Sequence, residues 1–71
     1  MNRVKSYRQR QQLSQQALAT QIGVARQTIN LIENDKYNPS LALCIKLAQA
    51  LGTDLNGLFW EDDGDGNNNI N

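Results

Sequence analysis

Histidine is absent from this chain, which removes the commonest general base and the commonest zinc ligand. The single cysteine, Cys44, cannot form an internal disulfide, and that fits a reducing cytoplasm. It sits on an apolar helical stripe without a histidine partner, so it reads as a packed thiol rather than a nucleophile. No apolar run approaches the ~18 residues that a membrane span needs. The N-terminal residues, MNRVKSYRQRQQ, lack the apolar core of a secretory signal. Net charge is also absent: seven basic and seven acidic side chains cancel. No metal, cofactor or small-molecule effector is called for, and enzymatic chemistry has little to work with.

The zero net charge hides an uneven distribution. Residues 1–60 hold Arg3, Lys5, Arg8, Arg10, Arg26, Lys36 and Lys46 against Glu33, Asp35 and Asp54, a balance of +4. Residues 61–71 hold Glu61, Asp62, Asp63 and Asp65, which cancel it. The expected organisation is therefore one mildly basic domain over 1–60 and an acidic, Asn- and Gly-rich tail over 61–71. That tail carries too little apolar surface to fold alone. Its acidic run resembles the start of a calcium loop, but no glutamate follows at the bidentate position. At 71 residues the chain is close to the size at which a core alone holds a fold. Help from a second subunit is plausible on those grounds.

Capping residues and apolar spacing predict five helices and no strand. Asn2 can cap a first helix over about 3–12, with Val4 and Tyr7 inward. Ser14 is a good N-cap for a second, whose Leu18, Ala19 and Ile22 fall on one face. Gly23 supplies the positive φ that ends it. Ile29 and Ile32 carry the inner face of a third helix. The loop from Asn34 to Asn38 is turn-rich. The lone proline, Pro39, forces the chain out of helix, and Ser40 caps a fourth helix, LALCIKLAQAL. Gly52 ends that helix, and Asp54 can cap a short fifth one from Leu55 to about Phe59.

The stretch Gln15 to Lys36, QQALATQIGVARQTINLIENDK, carries the functional signal. Its two short helices, the glycine break and the small Ala19 at the crossing resemble the helix-turn-helix unit. An ordinary helical hairpin shares the break but not the polar row that opens the second helix. There Arg26 can bind guanine O6 and N7, and Gln27 can bind adenine N6 and N7. Thr28 can meet a thymine methyl or a phosphate, and Asn30 can reach a neighbouring base. Gln15, at the start of the second helix, is placed for a phosphate. Asn34, Lys36 and Asn38 read as further backbone contacts, which set register but carry little sequence information. Each of these residues taken singly could be a solvated surface position.

The fourth helix is apolar most of the way round. Leu41, Cys44, Leu47, Ala48 and Leu51 form the stripe expected to face the core, while Leu43, Ile45 and Ala50 fall off it. Such a helix is covered on two sides. A second copy is the natural second cover, meeting Leu43, Ile45, Leu58, Phe59 and Trp60. The plainer alternative is that these residues close one small core.

From Asn2 to Phe59 the chain resembles the lambda repressor and Cro-like helix-turn-helix family, often called XRE. The segments SQQALATQIGVARQTINLIENDKYNPSL and LAQALG carry the resemblance. It implies an all-α, five-helix domain, usually dimeric, that regulates transcription by binding double-stranded DNA. It also implies that Arg8 pairs with Glu33, tying the first helix to the third and aiming Arg8 at phosphate. Ala25 departs from the pattern, because many relatives place a capping Ser, Thr or Asp there. The function expected is a sequence-specific regulator, a homodimeric repressor on a roughly palindromic operator. An alternative is a protein-interaction module on the same scaffold without DNA binding, which would tolerate apolar or acidic residues where Arg26, Gln27 and Asn30 stand.

Overall fold

A computed structural model describes residues 2–59 and shows five helices: α1 Val4–Arg10, α2 Gln15–Ile22, α3 Arg26–Glu33, α4 Leu41–Leu51 and α5 Leu55–Phe59. Trp60 and the acidic tail lie outside the described residues.

Local chemistry sets most boundaries. The Ser14 hydroxyl accepts from the Ala17 N–H at 2.9 Å, and the Ser40 hydroxyl from the Leu43 N–H at 3.2 Å. Asp54 Oδ1 accepts from the Gly57 N–H at 2.8 Å. Asn2 Oδ1 accepts from the Val4 N–H at 3.0 Å. Each bond satisfies a backbone donor that has no partner inside its helix. Gly23 and Gly52 end α2 and α4 at φ +80° and +69°. In both, the next residue's N–H returns to the carbonyl five residues back (Val24 to Ala19, Thr53 to Ala48), each at 2.9 Å. That pairing closes the helix end and sends the chain away at a fixed angle.

One boundary differs from the sequence expectation. α1 stops at Arg10 because Gln12 adopts φ +60°, turning the chain two residues sooner. The loop after α3 opens at Asn34 as expected, and Asp35 turns it at φ +57°.

The core is one cluster drawn from all five helices: Val4, Leu18, Ala19, Ile22, Ile29, Ile32, Leu47, Ala48, Leu51 and Leu58. α2 packs on α3 and α4, while α1 reaches α3, α4 and α5. The N- and C-terminal ends of this body are joined, with the Arg3 N–H donating to the Leu58 carbonyl at 2.8 Å.

The apolar stripe of α4 is placed differently from expectation. Leu41 is 66% exposed and Cys44 only half-buried, whereas Leu43 packs against the core. Leu43, Leu47 and Leu51 recur every four residues and share one face. Leu41 falls off that face, ~160° round the helix from Leu43, and stays open to solvent.

Candidate nucleic-acid interface

α3 is held by its inner side. Ile29 and Ile32 are buried, and the α2–α3 turn at Gly23 fixes the angle between the helices. The opposite side of α3 is left to solvent. Arg26, Gln27 and Asn30 are all exposed, so the structure brings these three together on the outer row. Thr28 is half-buried, and its place on the helical wheel is the flank away from Arg26 and Asn30.

Arg8 and Glu33 form a buried ion pair. Arg8 Nε donates to Glu33 Oε2 at 2.6 Å and Nη2 to Oε1 at 3.2 Å. The remaining Arg8 nitrogen, Nη1, donates to the Leu13 carbonyl at 2.8 Å. The pairing expected from the resemblance is thus present, and it ties α1 to α3. The phosphate role expected for Arg8 is corrected: its side chain is only 10% exposed and all three nitrogens face protein acceptors.

Gln15 is half-buried and joins this pair to the outer row. Its Nε2 donates to Glu33 Oε1 at 3.0 Å, and its Oε1 accepts from Arg26 Nη1 at 3.3 Å. A continuous line of hydrogen bonds therefore runs from Arg8 through Glu33 and Gln15 to Arg26. Helical periodicity could not reveal it, because it links residues on three helices.

Beyond α3, Asn34 Nδ2 donates to the Asn30 carbonyl at 2.8 Å. Lys36 and Asn38 are exposed in the following loop, on the same chain segment. Each described carboxylate has a partner within the chain. Glu33 lies against Arg8, Asp35 accepts from Asn2 Nδ2 at 2.9 Å, and Asp54 caps α5. Arg3, Lys5, Arg10, Arg26, Lys36 and Lys46 are exposed. Among the described residues, six exposed cations thus stand against two exposed carboxylates, Asp35 and Asp54.

A second surface is apolar. Asn38, Pro39, Leu41, Cys44, Leu55 and Phe59 line a shallow groove of about 330 Å³. Ile45 and Tyr37, 41% and 46% exposed, stand on the same stretch of chain. Of the residues expected at a dimer interface, Ile45 is exposed and Leu43 and Phe59 are half-buried. Leu58 is corrected: it is fully buried in the chain's own core and has no surface to offer a second copy. Trp60 lies outside the described residues. Leu41 and Tyr37, which the sequence reading left out of this surface, are among its most exposed apolar members. Burial pushes the Cys44 thiol above its ordinary pKa, and its Sγ lies 3.9 Å from the Pro39 carbonyl oxygen. Both features oppose thiolate chemistry. Among the described residues no three His, Cys, Asp or Glu side chains gather as a metal site, and no helix is long and apolar enough to cross a membrane.

This arrangement of α2, turn and α3 has a match in sequence. A family model described as helix-turn-helix covers residues 4–58. The chain belongs to the XRE-type, lambda repressor-like helix-turn-helix family. Within this family, an HTH-type transcriptional regulator of Methanocaldococcus jannaschii is 46% identical over 63 residues, spanning 87% of this chain and 96% of that one. The immunity repressor protein of Bacillus phage phi105 is 35% identical over 60 residues, 84% of this chain but 42% of the repressor. A solved complex of a SinR protein with a SinI protein contains a chain that superposes with a TM-score of 0.79 at 31% identity. The match covers 86% of this chain and 60% of that one. The family is one of DNA-binding transcriptional regulators.

Proposed function

We propose that this chain is a sequence-specific repressor that binds double-stranded DNA in the cytoplasm as a homodimer, reading a roughly palindromic operator through α3. The observation that carries the reading is the exposed row Arg26, Gln27 and Asn30 on a helix anchored by its opposite face. Side chains of this kind suit base edges in the major groove, with Arg26 matched to guanine and Gln27 to adenine. Thr28 contributes from the flank. Asn34, Lys36 and Asn38 follow on the same chain segment and suit phosphates. Gln15 supports the set by holding Arg26, and its exposed edge can still meet phosphate. Ile45, Leu43 and Phe59, with Leu41 beside them, supply an apolar face for a second copy, and Trp60 extends that cluster in sequence. A two-fold pair would present its α3 helices to half-sites about one helical turn, ~34 Å, apart.

The experiment that tests this is selection of bound sequences from a random duplex pool, followed by titration at rising salt. The expected result is an inverted repeat with half-sites ~10 base pairs apart and an affinity that falls steeply with salt. Failure to bind any duplex at low salt would favour the protein-interaction reading.

A further inference from the structure

Asn2 lies near the start of the chain, yet it is half-buried, and the N–H that follows it, that of Arg3, is held by the Leu58 carbonyl at 2.8 Å. Its side chain makes three bonds. Oδ1 accepts from the Val4 N–H at 3.0 Å, in the first turn of α1. Nδ2 reaches across to the end of α3, donating to the Ile32 carbonyl at 2.6 Å and to Asp35 Oδ1 at 2.9 Å. Both amide hydrogens are thereby used. The end of α3 shows what that reach achieves. The Asp35 N–H returns to the Ile32 carbonyl at 3.1 Å, and the Lys36 N–H to the Leu31 carbonyl at 2.8 Å. This closure needs a left-handed residue, here Asp35 at φ +57°. α2 and α4 close in the same way on Gly23 and Gly52, which adopt that conformation freely. Among the described residues, the non-glycine positions at positive φ are Gln12 and Asp35, where a Cβ makes it costlier. After Gln12, Arg8 Nη1 holds the Leu13 carbonyl at 2.8 Å. Asp35 is held by Asn2.

We propose that Asn2 is a positioning residue: by holding Asp35 in its left-handed turn, it aims the loop that carries Lys36 and Asn38 at the DNA backbone. The part given to phosphate rests on the DNA-binding reading; the clamp on Asp35 does not. The turn at Asp35 sets the direction in which the chain leaves α3, and Lys36 and Asn38 are exposed just beyond it. Without the clamp, Asp35 relaxes toward right-handed or extended conformations. The Lys36 N–H then leaves the Leu31 carbonyl, and both side chains sweep a wider arc. More freedom must be given up when they meet phosphate, so binding weakens. Arg26 and Gln27 stand at the opposite end of α3, so discrimination among bases is untouched.

The test introduces Asn2→Ser into the full chain and into its Asp35→Gly variant. Serine keeps a short acceptor for the Val4 N–H but cannot reach α3. Without DNA, amide exchange at Lys36, followed by NMR, should quicken about tenfold in N2S. In the D35G background the same substitution should change it little, because glycine needs no clamp. Affinity for an operator selected from a random pool should fall about fivefold in N2S. The fall should be equal on single-base variants of that operator, and the slope of log affinity against log salt should become shallower by about one. Unchanged Lys36 exchange in N2S would overturn the proposal. A loss of equal size in the D35G background would also overturn it, by assigning the effect to the start of α1. So would an altered ranking of operator variants at a constant salt slope, which would place the effect on the Arg26 row. Faster Lys36 exchange in N2S, suppressed by D35G, with no duplex binding by any of the chains would uphold the clamp and remove the DNA-binding reading.

Discussion

Arg26 Nη1 lies 3.3 Å from Gln15 Oε1, eleven residues apart in sequence and on different helices. Gln15 is itself held at 3.0 Å by buried Glu33. An exposed arginine ordinarily samples many rotamers, and ordering it on binding costs entropy. Here part of that ordering exists before DNA arrives. Arg26→Ala should therefore cost ~1–3 kcal/mol at one base step and relax discrimination there. Gln15→Ala should weaken binding by a smaller amount, ~0.5–1.5 kcal/mol, with the loss concentrated at the same step. Competition binding against single-base operator variants measures both. Uniform weakening across all sequences would show that Arg26 touches only phosphate.

The Arg8–Glu33 pair makes a prediction about stability. Removing one member leaves the other charged and buried, and such losses run to ~3–5 kcal/mol. A domain of this size holds only ~5–10 kcal/mol in all. Arg8→Ala should lower the melting temperature by ~12–40 °C, read from the loss of helical circular dichroism on heating. Replacing both members, as R8M/E33L, should recover much of the deficit, because no unpaired charge remains. Gln15 would lose its acceptor in that double variant, so stability should return further than operator selectivity does. Equal recovery of both would argue against the Glu33–Gln15 contact as a positioning device.

Ala25 is a defect that can be repaired. α3 begins with an N-cap in extended conformation, φ −74° and ψ 150°, but without a side-chain acceptor. Ser14 and Ser40 have similar backbone angles and do accept. Ala25→Ser should add ~1 kcal/mol, raising the melting temperature by ~4–8 °C for a domain this small. Thermal unfolding followed at 222 nm would check it. No change would mean that water serves the start of α3 as well as a hydroxyl does.

The elements that short-range chemistry controls were legible in the sequence. Ser14, Gly23, Ser40, Gly52 and Asp54 set helix ends through bonds within five residues, and the structure shows them doing so. The exposed row on α3 followed from the buried Ile29 and Ile32 opposite it. What escaped depends on several helices at once. Helical spacing gave Leu41 to the core, but the face that packs inward is that of Leu43, Leu47 and Leu51, and Leu41 is left exposed. The apolar run Leu58-Phe59-Trp60 suggested Leu58 for a partner, yet it is fully buried on a helix that packs against α1 and α4. The Arg8–Glu33 pair was expected from the resemblance, but the third bond, from Arg8 to the Leu13 carbonyl, was not, and it leaves no Arg8 nitrogen turned toward a phosphate.

The apolar face of α4 gives the last prediction. Ile45 and Leu41 are exposed in the single chain, so a charge at either leaves the core intact. If that face meets a second copy, a buried carboxylate there has no partner and costs several kcal/mol on association. Ile45→Asp should shift the sedimentation profile from dimer to monomer at micromolar concentration. Binding to a two-half-site operator should lose its cooperativity, while contact with one half-site persists through α3. Leu58→Asp is no substitute, since it would place the charge in the core and unfold the chain. An unchanged sedimentation profile in Ile45→Asp, with helical content retained, would move the dimer contact elsewhere or remove it.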